Sequence, residues 1–144
     1  MKSKILYFLF AAFILPTSSH AIENCEKALD SIPKYGTSKK MFEEIFQFKL
    51  KFNHCMDGGI AEGISAVIVE SLDKSWSQIK DISTLNKKDS SFQKFILINI
   101  QPNVTAQETE VKSIISKAKK SCPKAMKSFC RELVKFSEKS LLPE

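Results

Sequence analysis

The sequence predicts an all-α fold, a small disulfide-tied bundle of about six helices that follows an N-terminal signal peptide. Three observations carry that expectation. Apolar residues recur at spacings of three and four in segment after segment, as on one face of a helix. No two segments share the apolar–polar alternation they would need to pair as strands. Four cysteines, Cys25, Cys55, Cys122 and Cys130, all lie beyond the leader, and an even count in an exported chain favours two disulfides.

The leader is read from Lys2 and Lys4, then an unbroken apolar run from Ile5 to Leu15, Pro16, and small or polar residues ending Ser19-His20-Ala21. Eleven apolar residues fall short of the roughly 20 a bilayer span needs, and no second run qualifies, so no transmembrane segment is expected after cleavage. Residues 1–21 are assigned to the signal peptide and 22–144 to one helical domain located in the periplasm. That domain, 144 less 21 or 123 residues, is long enough to bury about two thirds of its unfolded surface around one core.

Along that domain, Glu23 to Ile32 reads as a short helix stopped by Pro33. From Lys39 two periods compete: Phe46, Phe48, Leu50 and Phe52 alternate like a strand, while Met41, Ile45, Phe48, Phe52 and Cys55 recur like a helix. Helix is chosen, because no matching strand exists to pair with it. The central helix begins at Gly58 or Gly59 and carries Ile60, Ile64, Val67, Ile68 and Leu72. Gly59, Gly63 and Ala66 lie on another side of it, a shallow groove where a second backbone can pack closely.

Next, Trp76, Ile79, Ile82 and Leu85 recur every three residues as a short helix, and Asn86-Lys87-Lys88-Asp89-Ser90-Ser91 is the most polar loop. Phe92, Phe95, Ile96 and Asn99 share one side of a further helix, with a buried strand over Phe95 to Ile100 as the alternative. Thr105-Ala106-Gln107-Glu108 matches a reciprocal capping box that opens the helix carrying Val111, Ile114, Ile115 and Ala118. Pro123 is expected at the first position of the last helix, whose stripe is Met126, Phe129, Cys130, Leu133 and Phe136.

That last placement bears on the disulfides. Were Cys122 and Cys130 on one α-helix, eight residues at 1.5 Å would set them about 12 Å apart, too far to bridge. The spacing therefore favours pairing Cys25 and Cys55 with the C-terminal cysteines, unless the last segment starts outside the helix.

The chain carries 22 basic and 16 acidic residues; without Lys2 and Lys4 the balance is 20 to 16, a net +4. The excess is C-terminal, nine cations from Lys112 to Lys139 against five glutamates from Glu108 to Glu144. An exported chain has no nucleic acid to meet, so the functional reading is an anionic protein, lipid or cell-wall surface. The simpler reading, and the preferred one, is a solvated lysine face, since no exposed aromatics interleave.

Chemistry is scarce. His54 is the one histidine beyond the leader, and using Cys55 as its nucleophile would strand another thiol in an oxidising compartment. No GxSxG, HExxH, phosphate-binding or dinucleotide-binding motif is present, and no CxxC or HxxxH pair points to a metal. Asp57 with Glu62, five residues apart, diverge by about 140° on a helix, and Glu62 with Glu70 are about 12 Å apart along it, so neither makes an acid–base pair. Asp57 reads as an N-cap. No catalytic residue, cofactor or metal is assigned, and the chain is expected not to be an enzyme.

A cysteine near the start of the domain, then Cys55-Met-Asp-Gly-Gly-Ile-Ala-Glu-Gly opening a helix, then a cysteine-closed C-terminal region, resembles the small periplasmic immunity proteins of type VI secretion systems, in particular their helical amidase-immunity group. The resemblance implies an all-α protein that neutralises a cognate cell-wall-targeting effector by plugging its cleft. Its positive charge departs from that pattern and suits an acidic partner face. Candidate contacts are the polar loop, Asn86, Lys87, Lys88, Asp89 and Ser90, and the Gln101–Val104 segment with Gln101 and Asn103. Two other readings stand beside it. One is a small-molecule or envelope-surface carrier using the Phe-rich second helix against the glycine groove; the other is a carboxylate-dependent peptidoglycan hydrolase.

Overall fold

A computed structural model describes residues 19–34, 39–100 and 108–142, and it is all-α. Seven helices follow in order: α1 (Ser19–Asp30), α2 (Met41–Phe52), α3 (Gly58–Lys74), α4 (Ile79–Lys88), α5 (Phe92–Ile98), α6 (Glu108–Lys120) and α7 (Lys127–Ser140). Short 3-10 turns at Asn53–Cys55, Trp76–Gln78 and Lys124–Met126 lead out of α2, into α4 and into α7. Of the expected leader, only Ser19 to Ala21 falls within the described residues, in the first turn of α1. Thr105, Ala106 and Gln107 of the expected capping box lie outside them, and Glu108 is the first described residue of α6.

The competition of periods in the second segment is resolved by what each residue buries. Met41, Phe42, Ile45, Phe46, Phe48, Lys49 and Phe52 face the interior of α2, a set that only a helical repeat brings to one side. Phe46 meets Phe92 edge to face at 5.1 Å between ring centroids, which couples α2 to α5. Phe92 to Ile98 is likewise a helix, with Phe92, Phe95, Ile96 and Leu97 buried, so the strand alternative is set aside.

α3 runs through the middle, packed on α1, α2 and α6, and buries Ile64, Val67, Ile68, Val69 and Leu72. α6 and α7 form an antiparallel pair closing one side, with Val111, Ile114 and Ala118 facing Phe129, Cys130 and Leu133. The apolar interior is continuous from Ala28 on α1 to Leu133 on α7.

The disulfides are Cys25–Cys55 and Cys122–Cys130, so the expected pairing of the first two cysteines with the last two is corrected. The reason lies at Pro123. Its backbone is extended (φ −60°, ψ 141°), a 3-10 turn follows, and α7 begins only at Lys127. Cys122 thus stands outside the helix, and its Cα lies 6.2 Å from that of Cys130, within bridging range. The other bridge joins α1 to the 3-10 turn after α2, with Cα atoms 5.3 Å apart.

The three glycines of α3 differ from one another. Gly58 opens α3 with φ +43°, a left-handed conformation that other residues rarely adopt. Gly59 has no atom within 4 Å of the place a Cβ would take, which corrects its expected packing role. Gly63 is a true close approach, but of a side chain and not of a backbone: a Cβ there would lie 2.5 Å from Cδ1 of Ile32.

Candidate functional site

Of the residues singled out as contacts, those from Asn86 to Ser90 fall at the junction of α4 and α5. Asn86, Lys87 and Lys88 are the last turn of α4, and Asp89 leaves the helix in extended conformation (φ −143°, ψ 108°). What reads in sequence as a six-residue loop is therefore a tight turn of Asp89, Ser90 and Ser91. The Asp89 carboxylate holds it. Its Oδ1 accepts from the Ser91 backbone N–H at 2.9 Å and from the Ser91 hydroxyl at 2.7 Å, the local bonding that short acidic side chains offer at turns. Its Oδ2 accepts from the Lys49 ammonium.

Asn86 adds a second clasp, its Oδ1 accepting from the Gln93 backbone N–H at 3.0 Å. Lys88 reaches back to α2, 3.6 Å from Glu43 Oε1 and 5.9 Å from the centre of the Phe46 ring. Lys87 and Ser90 point to solvent, and Lys88 remains more than half exposed. The turn is thus anchored from beneath and presents two lysines and a hydroxyl from above.

Lys49 is the residue that sequence reasoning missed. It is only 7 % exposed, and a lysine is rarely that buried without a partner. A signal existed: Lys49 falls four residues after Ile45 and three before Phe52, on the buried stripe of α2. The hydrogen bond from Lys49, those from Ser91, and the Lys49 charge together hold the Asp89 carboxyl at about 2, against 3.8 ordinarily, so it is ionised throughout the neutral range. It has no proton to give as a general acid near neutrality. What the site offers is positive charge and hydrogen-bond donors in a fixed place.

Gln101 and Asn103 lie outside the described residues. The residues before them are placed: Asn99 is buried, donating from its side-chain amide to the Phe95 carbonyl at 2.8 Å, and Ile98 is 46 % exposed.

Elsewhere, Cys25, His54 and Cys55 bring their donor atoms within 4.8 Å of one another. The two sulfurs are bonded to each other and offer no thiolate to a metal. Asp57 takes the N-cap position of α3 through its backbone, whose carbonyl accepts from Ile60 and Ala61, without a side-chain bond. Asp57 and Glu62 are both exposed.

The aromatic wall invoked for a carrier is spent on the core, since Phe42, Phe46, Phe48 and Phe52 are buried and Gly63 is covered by Ile32. An open depression does lie between α1 and the start of α3, lined by Cys25, Leu29, Asp57, Gly58, Gly59 and Ile60 among others. Comparison with known protein families, with curated proteins and with solved structures returned no match.

Proposed function

We propose that the chain is an exported binding protein of the periplasm, an immunity or inhibitor protein that occludes the cleft of a cell-wall-targeting effector, with the α4–α5 turn as the inserted feature. The observation that supports this most is the anchoring of that turn. Association costs less when the contacting segment is already ordered, and Asp89, Lys49, Ser91, Asn86 and Gln93 fix its backbone before any partner arrives. Two disulfides restrain the body that carries it. Lys87 and Lys88 suit a cleft lined by carboxylates, where charge complementarity speeds encounter and selects the partner.

Co-expression with the exported product of the neighbouring gene tests the reading. Protection and a stable complex are expected, and Lys87→Glu with Lys88→Glu should abolish both while leaving the circular dichroism spectrum unchanged. Failure of the wild type to protect against, or to bind, any adjacent effector removes the reading. Hydrolysis of purified sacculi by the wild type, lost on Glu62→Gln with Asp57→Asn, would replace it with the hydrolase reading.

A further inference from the structure

The cations of α7 are arranged, not merely abundant. Lys127, Arg131, Lys135 and Lys139 recur every four residues and all four are exposed. At about 100° per residue each step advances the row by about 40°, so it climbs roughly 18 Å of helix within one continuous outer face. Phe129, Cys130, Leu133 and Ser137 occupy the opposite, buried face.

Like charges four apart repel, and among the described residues none of these four has an ion pair. One carboxylate of α7, Glu132, is exposed without an ion pair among the described residues and offsets one of the four cations; others are committed elsewhere. Glu138 takes Lys119 at 2.8 Å, Glu108 takes Lys112, and Asp73 takes Lys117. The ridge is left with a surplus of positive charge that the fold does not use.

We infer that this ridge docks the protein electrostatically on an anionic phospholipid surface. Three features favour lipid over a protein partner. Three of the four cations are lysines, compact point charges suited to phosphate headgroups, whereas protein interfaces are enriched in arginine and aromatic residues and depleted in lysine. The row winds over about 120° of the helix surface and carries no aromatic anchor, which fits an extended field of charge better than a pocket. Leu142, three residues beyond Lys139, is 68 % exposed and offers an apolar contact at the headgroup boundary beside the cations. Four basic residues on one helix face match the clusters that bind anionic leaflets.

Vesicle sedimentation decides it. Wild-type protein should pellet with phosphatidylcholine vesicles containing one third phosphatidylglycerol and stay in the supernatant with phosphatidylcholine alone. Binding should vanish at about 1 M salt, where the screening length falls to about 3 Å. Arg131→Gln with Lys135→Gln should weaken partitioning about thirtyfold, near fivefold for each cation removed. Lys39→Gln with Lys80→Gln, the same loss of charge from exposed positions off the ridge, should change it far less. No binding to the anionic vesicles, equal weakening by both pairs, or persistence at high salt overturns the inference. So does retention on polyglutamate with none on vesicles, which would assign the ridge to an acidic protein. Effector protection is not read in any arm, so this result and that of the co-expression test stand apart.

Discussion

At the residue scale the pair of Lys49 and Asp89 has unequal partners. The Lys49 side chain is 8 % exposed and that of Asp89 25 %. Removing the carboxylate leaves a buried ammonium with no counter-charge, whereas removing the ammonium leaves a carboxylate that water can still reach. Asp89→Asn is therefore expected to destabilise more than Lys49→Met, read as the difference in urea midpoint at neutral pH; the reverse order would mean that Lys49 draws little from the pair. The same carboxylate sets an acid limb. Its folded value of about 2 lies below the ordinary 3.8, so its contribution is whole above 3.8 and fades as pH falls through 2. Asp73 acts in the same direction: burial raises it, but hydrogen bonds from Lys117 and Ser113 and the charges of Lys117 and Lys74 lower it more. Stability measured between pH 4 and 2 should fall in the wild type and fall less steeply in Asp89→Asn.

At the element scale the glycines of α3 make a graded test. Gly58→Ala forces a side chain into positive φ and should cost about 1 kcal/mol. Gly59→Ala meets open space and should gain a few tenths to about 1 kcal/mol from helix propensity. Gly63→Ala displaces the tip of Ile32, a flexible end, so propensity and displacement nearly cancel, while Gly63→Leu should be clearly destabilising. Thermal denaturation of the four variants ranks them; a stabilised Gly58→Ala would refute the backbone argument. The bridges rank too. The 30-residue separation of Cys25–Cys55 predicts about 3.5 kcal/mol from chain entropy, and the 8-residue separation of Cys122–Cys130 about 2.5, so the paired serine variant of the first should be the less stable.

Helices were legible where a residue's own spacing decides its face, as with Ile64, Val67 and Ile68, or Ile79, Ile82 and Leu85. The disulfide pairing was not, because it turns on whether one proline starts an α-helix or precedes a 3-10 turn, and both are open to Pro123. Neither was the anchored turn, whose pinning cation lies 40 residues before Asp89, beyond the reach of local pattern.

At the scale of the whole molecule the question is whether seven helices unfold as one. The chain has a single tryptophan, Trp76, and it sits at the seam where the 3-10 turn after α3 meets the end of α6. Its indole N–H donates to the Ser121 carbonyl at 3.2 Å, and beside it Lys117 on α6 clasps both the backbone carbonyl and the carboxylate of Asp73 on α3. α6 packs most extensively on α7, to which the Cys122–Cys130 bridge also ties its end, so that hairpin has the means to persist alone. Against this, Val111 and Ile114 belong to the same continuous interior as Ile64, Ile68 and Leu72, and separating the hairpin would expose both faces at about 25 cal/mol for each Å² of apolar surface. The shared interior should prevail. Under oxidising conditions Trp76 fluorescence, which reports the seam, and far-UV circular dichroism, which reports all helices, are expected to give one coincident urea transition. A fluorescence midpoint clearly below the dichroism midpoint would show the hairpin parting first and would make α6 and α7 a separate cooperative unit.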